Sequence, residues 1–194
     1  MPGADDFDAL FAATADLDGL AFYNCGGHSG ASQRHKHFQI LPRESLVDGK
    51  VPLEALLGDL LGEGAAPLEP ATVPAWRGRL AHSVAAVPEA PTGSDLEMCY
   101  DGLLAAAGLA ASRDGVDHTG DLDWAGSHNL LLTKRWMLVV PRTRGGGPSG
   151  IGANAVGFAG FLLVDSLDDL EKLGSLGPTD VLATLGAESS DHRE

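Results

Sequence analysis

A chain of 194 residues with 44% hydrophobic content can bury a core and fits one domain, or one domain with an appendage. Its formal charge of −14 and pI near 4.7 argue against a general nucleic-acid or anionic-membrane binder, because such partners need a positive surface field. A polyanionic ligand would have to find a local positive site.

Along the chain, Asp5 to Asp16 carries Phe7, Leu10, Phe11 and Thr14 at helical spacing and is predicted to pack one face on a core. Its acidic sequence has no basic stretch before an apolar run, so no signal peptide is expected and the cytoplasm is the expected compartment. Leu20 to Asn24 reads as a strand, Gly26 to Ala31 as a Gly-Ser turn, and His35 to Leu41 as a second strand stopped by Pro42. Leu53, Leu56, Leu57, Leu60 and Leu61 predict an amphipathic helix over Val51 to Gly62, followed by a loop from Glu63 to Pro74. Arg79 to Val87 is a predicted strand, Asp95 to Ala111 a helix with Leu96, Cys99, Leu103, Leu104 and Ala107 inward, and Ser112 to Gly126 an acidic loop.

His128 to Leu132 and Trp136 to Val140 are apolar strands around Thr133, Lys134 and Arg135. A Gly-rich connection, Gly145 to Gly152, leads into Ala153 to Val164, strand-like at its end. That stretch is too short to span a bilayer. Residues 168–186 read as one or two short helices and 187–194 as a tail. Cys25 and Cys99 lack CxxC spacing and zinc-finger companions, so neither disulfide nor structural zinc is indicated.

Seven of the 13 Lys and Arg residues fall in two acid-free windows, Arg34 to Arg43 and Lys134 to Arg144. Charge runs usually face water, and only the neighbouring chemistry suggests more. In an extended SQRHKHFQI segment, His35, His37 and Gln39 would line one face, and Lys36, Phe38 and Ile40 the other. A neutral imidazole is a competent nucleophile toward phosphorus, provided other groups bind the non-bridging oxygens and the leaving phosphate. The preceding turn allows close backbone approach at Gly30 and offers Ser29, Ser32 and Gln33 as donors. As metal ligands, His35 and His37 would need a third partner, for which the sequence offers only unplaced candidates such as His128; no metal site is expected.

FYNCGGHSGASQRHKHFQILP, Phe22 to Pro42, resembles the active-site signature of the ATP adenylyltransferases, or diadenosine tetraphosphate phosphorylases, of the histidine-triad superfamily. HNLLLTKRWMLVVPR and GIGANAVGFAGFLLV, within residues 126–186, resemble the C-terminal region of the same enzymes. The resemblance implies an α+β fold, a histidine-triad-like antiparallel sheet flanked by helices, in a single domain over residues 1–186. It implies a nucleotidyltransferase in which His37 attacks the alpha phosphate of a dinucleoside tetraphosphate and releases ATP, with phosphate then accepting the AMP unit to give ADP. Gln39 would bond phosphoryl oxygens, His35 would orient the site, Ser32 and Gln33 would hold phosphate, and Asn24 would lie near the nucleotide. Asn129, Lys134, Arg142 and Asn154 would approach the site from the C-terminal block.

Nucleotide and inorganic phosphate are the implied partners, with a divalent cation such as magnesium accompanying the nucleotide. About twenty residues precede the Leu20 strand, where the resembling enzymes have a longer portion, so the sheet is expected to be incomplete at that edge. Self-association could cover such an edge. A nucleotide-binding relative without turnover, or a histidine-triad hydrolase, are the alternative readings.

Overall fold

Alternation along the first strand, β1 (Gly19–Cys25), decides the layering. Leu20 and Phe22 enter one hydrophobic cluster while Ala21, Tyr23 and Cys25 enter another, and all five are buried. Both faces of the sheet are therefore covered. The computed structural model describes residues 1–33, 35–62, 66–109 and 126–188. Within them β1 joins β2 (Phe38–Pro42), β3 (Ser83–Ala86), β4 (His128–Leu132) and β5 (Trp136–Pro141) in one five-stranded sheet, order β2-β1-β4-β5-β3, with every ladder antiparallel.

The back face is closed by α1 (Ala4–Asp16) and α3 (Gly93–Ala106), which bring Phe7, Leu10, Leu96, Tyr100 and Leu103 against Tyr23, Leu130 and Val139. Thr92 caps α3 reciprocally with Asp95, a pairing that contributes about 1 kcal/mol. The front face is closed by α2 (Glu54–Leu57), α4 (Ala155–Phe158) and α6 (Pro178–Ala183), through Leu57, Phe158 and Leu182. A further helix, α5 (Leu167–Leu176), precedes α6. The central strands β4 and β5 are buried at every residue, which is why they read as unbroken apolar runs.

The two sheet edges differ. Beside β3 the chain from Pro67 to Ala71 runs along the outer side, with Leu68 N donating to Ala86 O at 2.8 Å and Ala71 N to Val84 O at 2.7 Å. Beside β2 no described strand pairs on the outer side. The antiparallel α+β sheet flanked by helices is as expected.

Several element bounds are corrected. The helix expected over Val51 to Gly62 is α2 plus a 3-10 turn over Gly58–Leu61, broken where Gly58 takes φ +43°. Ala153 to Val164 is not strand-like: Asn154 caps α4 by accepting from Val156 N at 3.1 Å, and the small side chains of Ala155 and Gly157 let that turn sink into the core. The strand expected over Arg79 to Val87 shortens to β3, because His82 is held by Leu80 O and Val73 N outside the ladder. Most of the expected 112–126 loop, the end of the helix expected to reach Ala111, and most of the tail lie outside the described residues.

Candidate functional site

β1 ends at Cys25, and Gly26 turns the chain back with φ +86°. A Cβ there would lie 2.2 Å from Ser127 Oγ, so position 26 excludes a side chain on space as well as conformation. Ser29 closes the turn by donating its hydroxyl to Gly26 O at 2.6 Å. It is fully buried. Ser29 thus builds the turn, and the expected phosphate contact from its hydroxyl is corrected. Gly30 follows with φ +79°, where a Cβ would meet Asn154 at 3.0 Å. Ser32 and Gln33 emerge into solvent beyond it.

His35 and His37 are exposed, their rings 5.9 Å apart and nearly perpendicular at 84°. The expected strand over His35 to Leu41 begins only at Phe38, so both imidazoles stand on the arm leading into β2. The reason is the register. Tyr23↔Phe38 is the last pair of the ladder, two residues before β1 ends at Cys25 and the chain bends at Gly26. The alternation nonetheless holds on the other side. Lys36 Nζ reaches Asp6 Oδ2 of α1 at 2.6 Å, and Phe38 packs on Tyr23 with centroids 5.0 Å apart, both on the back face. Gln39 is exposed and lies opposite Phe22, a front-face residue.

Behind the turn lies a buried polar network. Asn129 of β4 donates Nδ2 to Asn24 Oδ1 at 2.7 Å and to Ser29 O at 2.8 Å, while its Oδ1 accepts from Arg142 Nη1 at 2.5 Å. Asn24 Oδ1 also accepts from Ala155 N at 2.8 Å. The Arg142 guanidinium donates to the carbonyls of Ser29 (3.3 Å), Ala153 (2.8 Å), Arg144 (3.0 Å) and Leu185 (3.2 Å). Its carbon sits 5.2 Å from the Phe158 ring centroid. Burial lowers its pKa to about 10.

In front of that network is a groove of about 270 Å³, lined by Gly30, Gly145, Gly152, Ala153, Asn154 and Phe161, with Leu163 at its edge. This volume is close to the lower end of small-molecule sites, about 300 Å³.

A turn of close-packed glycines, an arm bearing two exposed imidazoles and a buried amide network invite comparison with known proteins. The ATP adenylyltransferase C-terminal domain profile matches residues 77–188, and the Ap4A phosphorylase N-terminal domain profile matches residues 3–59. The chain belongs to the ATP adenylyltransferase family. Diadenosine 5',5'''-P1,P4-tetraphosphate phosphorylase 2 of Saccharomyces cerevisiae is 36% identical over 164 residues, 79% of this chain and 47% of the yeast protein. The chain thus spans about half the length of that curated relative. Among solved structures, a yeast Ap4A phosphorylase in complex with AMP superposes with TM-score 0.77 at 28% identity, covering 98% of this chain and 65% of the other. The same enzyme in complex with Ap4A gives TM-score 0.74 at 27% identity over 98% and 65%.

Against this family background, the predicted site residues divide into three groups. His35, His37, Gln39, Ser32 and Gln33 are exposed around the turn; Gly30 and Asn154 line the groove; Asn24, Ser29, Asn129 and Arg142 form the support beneath. Arg142, expected to approach the site from the C-terminal block, lies beneath it, with its donors directed at carbonyls and Asn129 and 2% of its surface exposed. Lys134 is not brought to the site: it lies in the β4–β5 connection, beyond Leu132↔Ala21, whereas Asn129↔Asn24 marks the site end of the same ladder. His128 is no companion of His35 and His37 either. It is buried, donating Nδ1 to Gly126 O at 2.7 Å and accepting from the Tyr100 hydroxyl at 2.5 Å through Nε2.

In the first basic window Lys36 pairs with Asp6, and Arg43 is held by Glu54 at 2.5 Å. Sequence reasoning missed Phe161 and Gly145 as groove walls. The Gly-rich run before α4 was the available signal, and the reversal that brings it beside Gly30 is a tertiary event.

Proposed function

We propose that this chain transfers a nucleotidyl group from a dinucleoside tetraphosphate to inorganic phosphate, by the covalent chemistry of the histidine-triad superfamily. A ring nitrogen of His37 forms a bond to the alpha phosphorus as the bond to the bridging oxygen breaks, and ATP departs. A phosphate oxygen then forms a bond to the same phosphorus, the nitrogen–phosphorus bond breaks, and ADP leaves with the imidazole restored. Gln39, on the front face beside β1, holds the phosphoryl oxygens, while His35 orients the arm.

The observation that carries this reading is the placement of the exposed His35–His37–Gln39 arm beside a glycine turn whose Ser29 carbonyl is held from below by Asn129 and Arg142. The family membership and the yeast relative's named activity support it. Among the described residues no three His, Cys, Asp or Glu side chains gather as a metal site, so we propose that any divalent cation arrives on the polyphosphate. No described helix is long and apolar enough to cross a membrane, and we propose a cytoplasmic enzyme. A second copy, added along the outer side of β2, is the proposed cover for that edge.

Incubation with diadenosine tetraphosphate, with and without phosphate, followed by nucleotide separation, tests the reaction. ATP plus ADP that requires phosphate is expected. ATP plus AMP regardless of phosphate assigns a hydrolase, and no product from the chain sinks the enzymatic reading.

A further inference from the structure

In a chain of net charge −14, Arg142 is buried with no carboxylate partner among the described residues. Two cations of the other basic window are neutralised, the exposed Lys36 by Asp6 and the half-buried Arg43 by Glu54. An unneutralised buried guanidinium is costly, and its cost falls when an anion comes near.

The guanidinium also fixes backbone direction. It holds the carbonyls of Ser29, Arg144 and Ala153, and the residue following each of these lines the groove: Gly30, Gly145 and Asn154. In a planar trans peptide the C=O of one residue and the N–H of the next point in opposite directions. Three carbonyls drawn in toward Arg142 therefore turn three N–H groups outward, toward the groove. None of these N–H groups has a hydrogen-bond acceptor among the described residues. The amides of Ala155 and Val156, at the start of α4, are by contrast consumed by Asn24 and Asn154.

We propose that Arg142 is a positioning residue that turns the 29–30, 144–145 and 153–154 peptide units into a three-amide cradle for phosphoryl oxygens, with the bound polyphosphate as its missing counter-charge. The proposal rests on the function proposed above and assigns its phosphate-holding part to backbone groups. Backbone amides suit this task because they bind anions without adding titratable charge. The ligand class is a di- or triphosphate. Arg142 itself remains behind the carbonyls and touches no substrate.

The test compares ATP, inorganic pyrophosphate and adenosine by calorimetric titration of the full chain and its Arg142→Met and Arg142→Lys variants. Arg142→Met is expected to lose tenfold or more in affinity for ATP and pyrophosphate and to bind adenosine within twofold of the parent. Arg142→Lys, which keeps the charge but not the fork, should fall between. Equal losses for ATP and adenosine, or no loss for either, would overturn the proposal, the first by reducing Arg142 to a structural role. Wild-type protein supplies a measurement independent of variant folding. On saturation with pyrophosphate, the amide resonances of Gly30, Gly145 and Asn154 and the Arg142 Nε–H should all shift; if they do not, the cradle does not exist. Phosphate-charge selectivity that depends on Arg142 without cleavage of diadenosine tetraphosphate would sink the reaction and leave the cradle. Cleavage through His37 with full activity in Arg142→Met would do the reverse.

Discussion

The arm from His35 to Gln39 and the network around Arg142 lie on opposite sides of one turn, and polar groups are used differently in each. On the arm, two imidazoles outside the strand and the Gln39 amide at the start of β2 face solvent, tethered by Lys36 to Asp6 and by Phe38 on Tyr23. In the network, Asn24, Asn129 and Arg142 direct their donors and acceptors at one another and at carbonyls. The contrast separates the groups proposed to react from groups that set shape. Substitutions on the arm should leave the fold intact, and substitutions in the network should also lower stability.

The largest expected effect is His37→Ala, with turnover of diadenosine tetraphosphate falling on the order of 10³-fold or more and the melting temperature unchanged, since the side chain is exposed. Steady-state rates paired with thermal melts check both halves. Next is Asn129→Ala, expected to cost about 3 kcal/mol in denaturant unfolding, because it strips a partner from Arg142 and leaves Asn24 and Ser29 O short of a donor. A variant as stable as the parent would erase the distinction drawn above.

A smaller effect is expected from pH, away from the site. Burial holds the His82 pKa below its ordinary value of 6.5, with the ring donating to Leu80 O and accepting from Val73 N. The folded state thus binds fewer protons than the unfolded chain below about pH 6.5, so stability is full above that pH and declines as pH falls toward the folded value. Unfolding midpoints at pH 7.5 and 5.5 should differ, and His82→Gln should flatten the difference. The smallest effect is Lys134→Ala, with activity changed by less than about twofold. A larger loss would bring the far end of β4 into the mechanism.

How far the sequence reveals this molecule varies by element. β4, β5 and α3 were legible because burial on both faces of β4 and β5 writes continuous apolar runs, and because α3 presents Leu96, Cys99, Leu103 and Leu104 at helical spacing. α4 was misread because four residues carry too little periodicity, although Asn154 followed by Ala155 is a cap signal. The histidine arm kept its alternation but lost its strand, since pairing depends on where β1 ends rather than on residues 35–37. For the candidate site, spacing placed the exposed imidazoles next to the glycine turn. It did not distinguish a basic residue that faces a ligand from one that faces carbonyls. Arg142 and Lys134 lie in one charge window, yet one is beneath the groove and the other at the opposite end of the sheet.

The turn at 26–30 also carries a consequence for the order of events in synthesis. Its fasteners are remote in sequence: Ser29 O is held by Asn129 and Arg142, separated from it by 100 and 113 positions, and Asn24 receives Ala155 N across 131. A nascent chain that has already made the arm and its histidines cannot set this turn until its last third has emerged and folded back. Contacts of such long range form late. The shape proposed to bind anions is thus a report of completed folding, and truncated or half-folded chains should carry His37 without the set turn beside it.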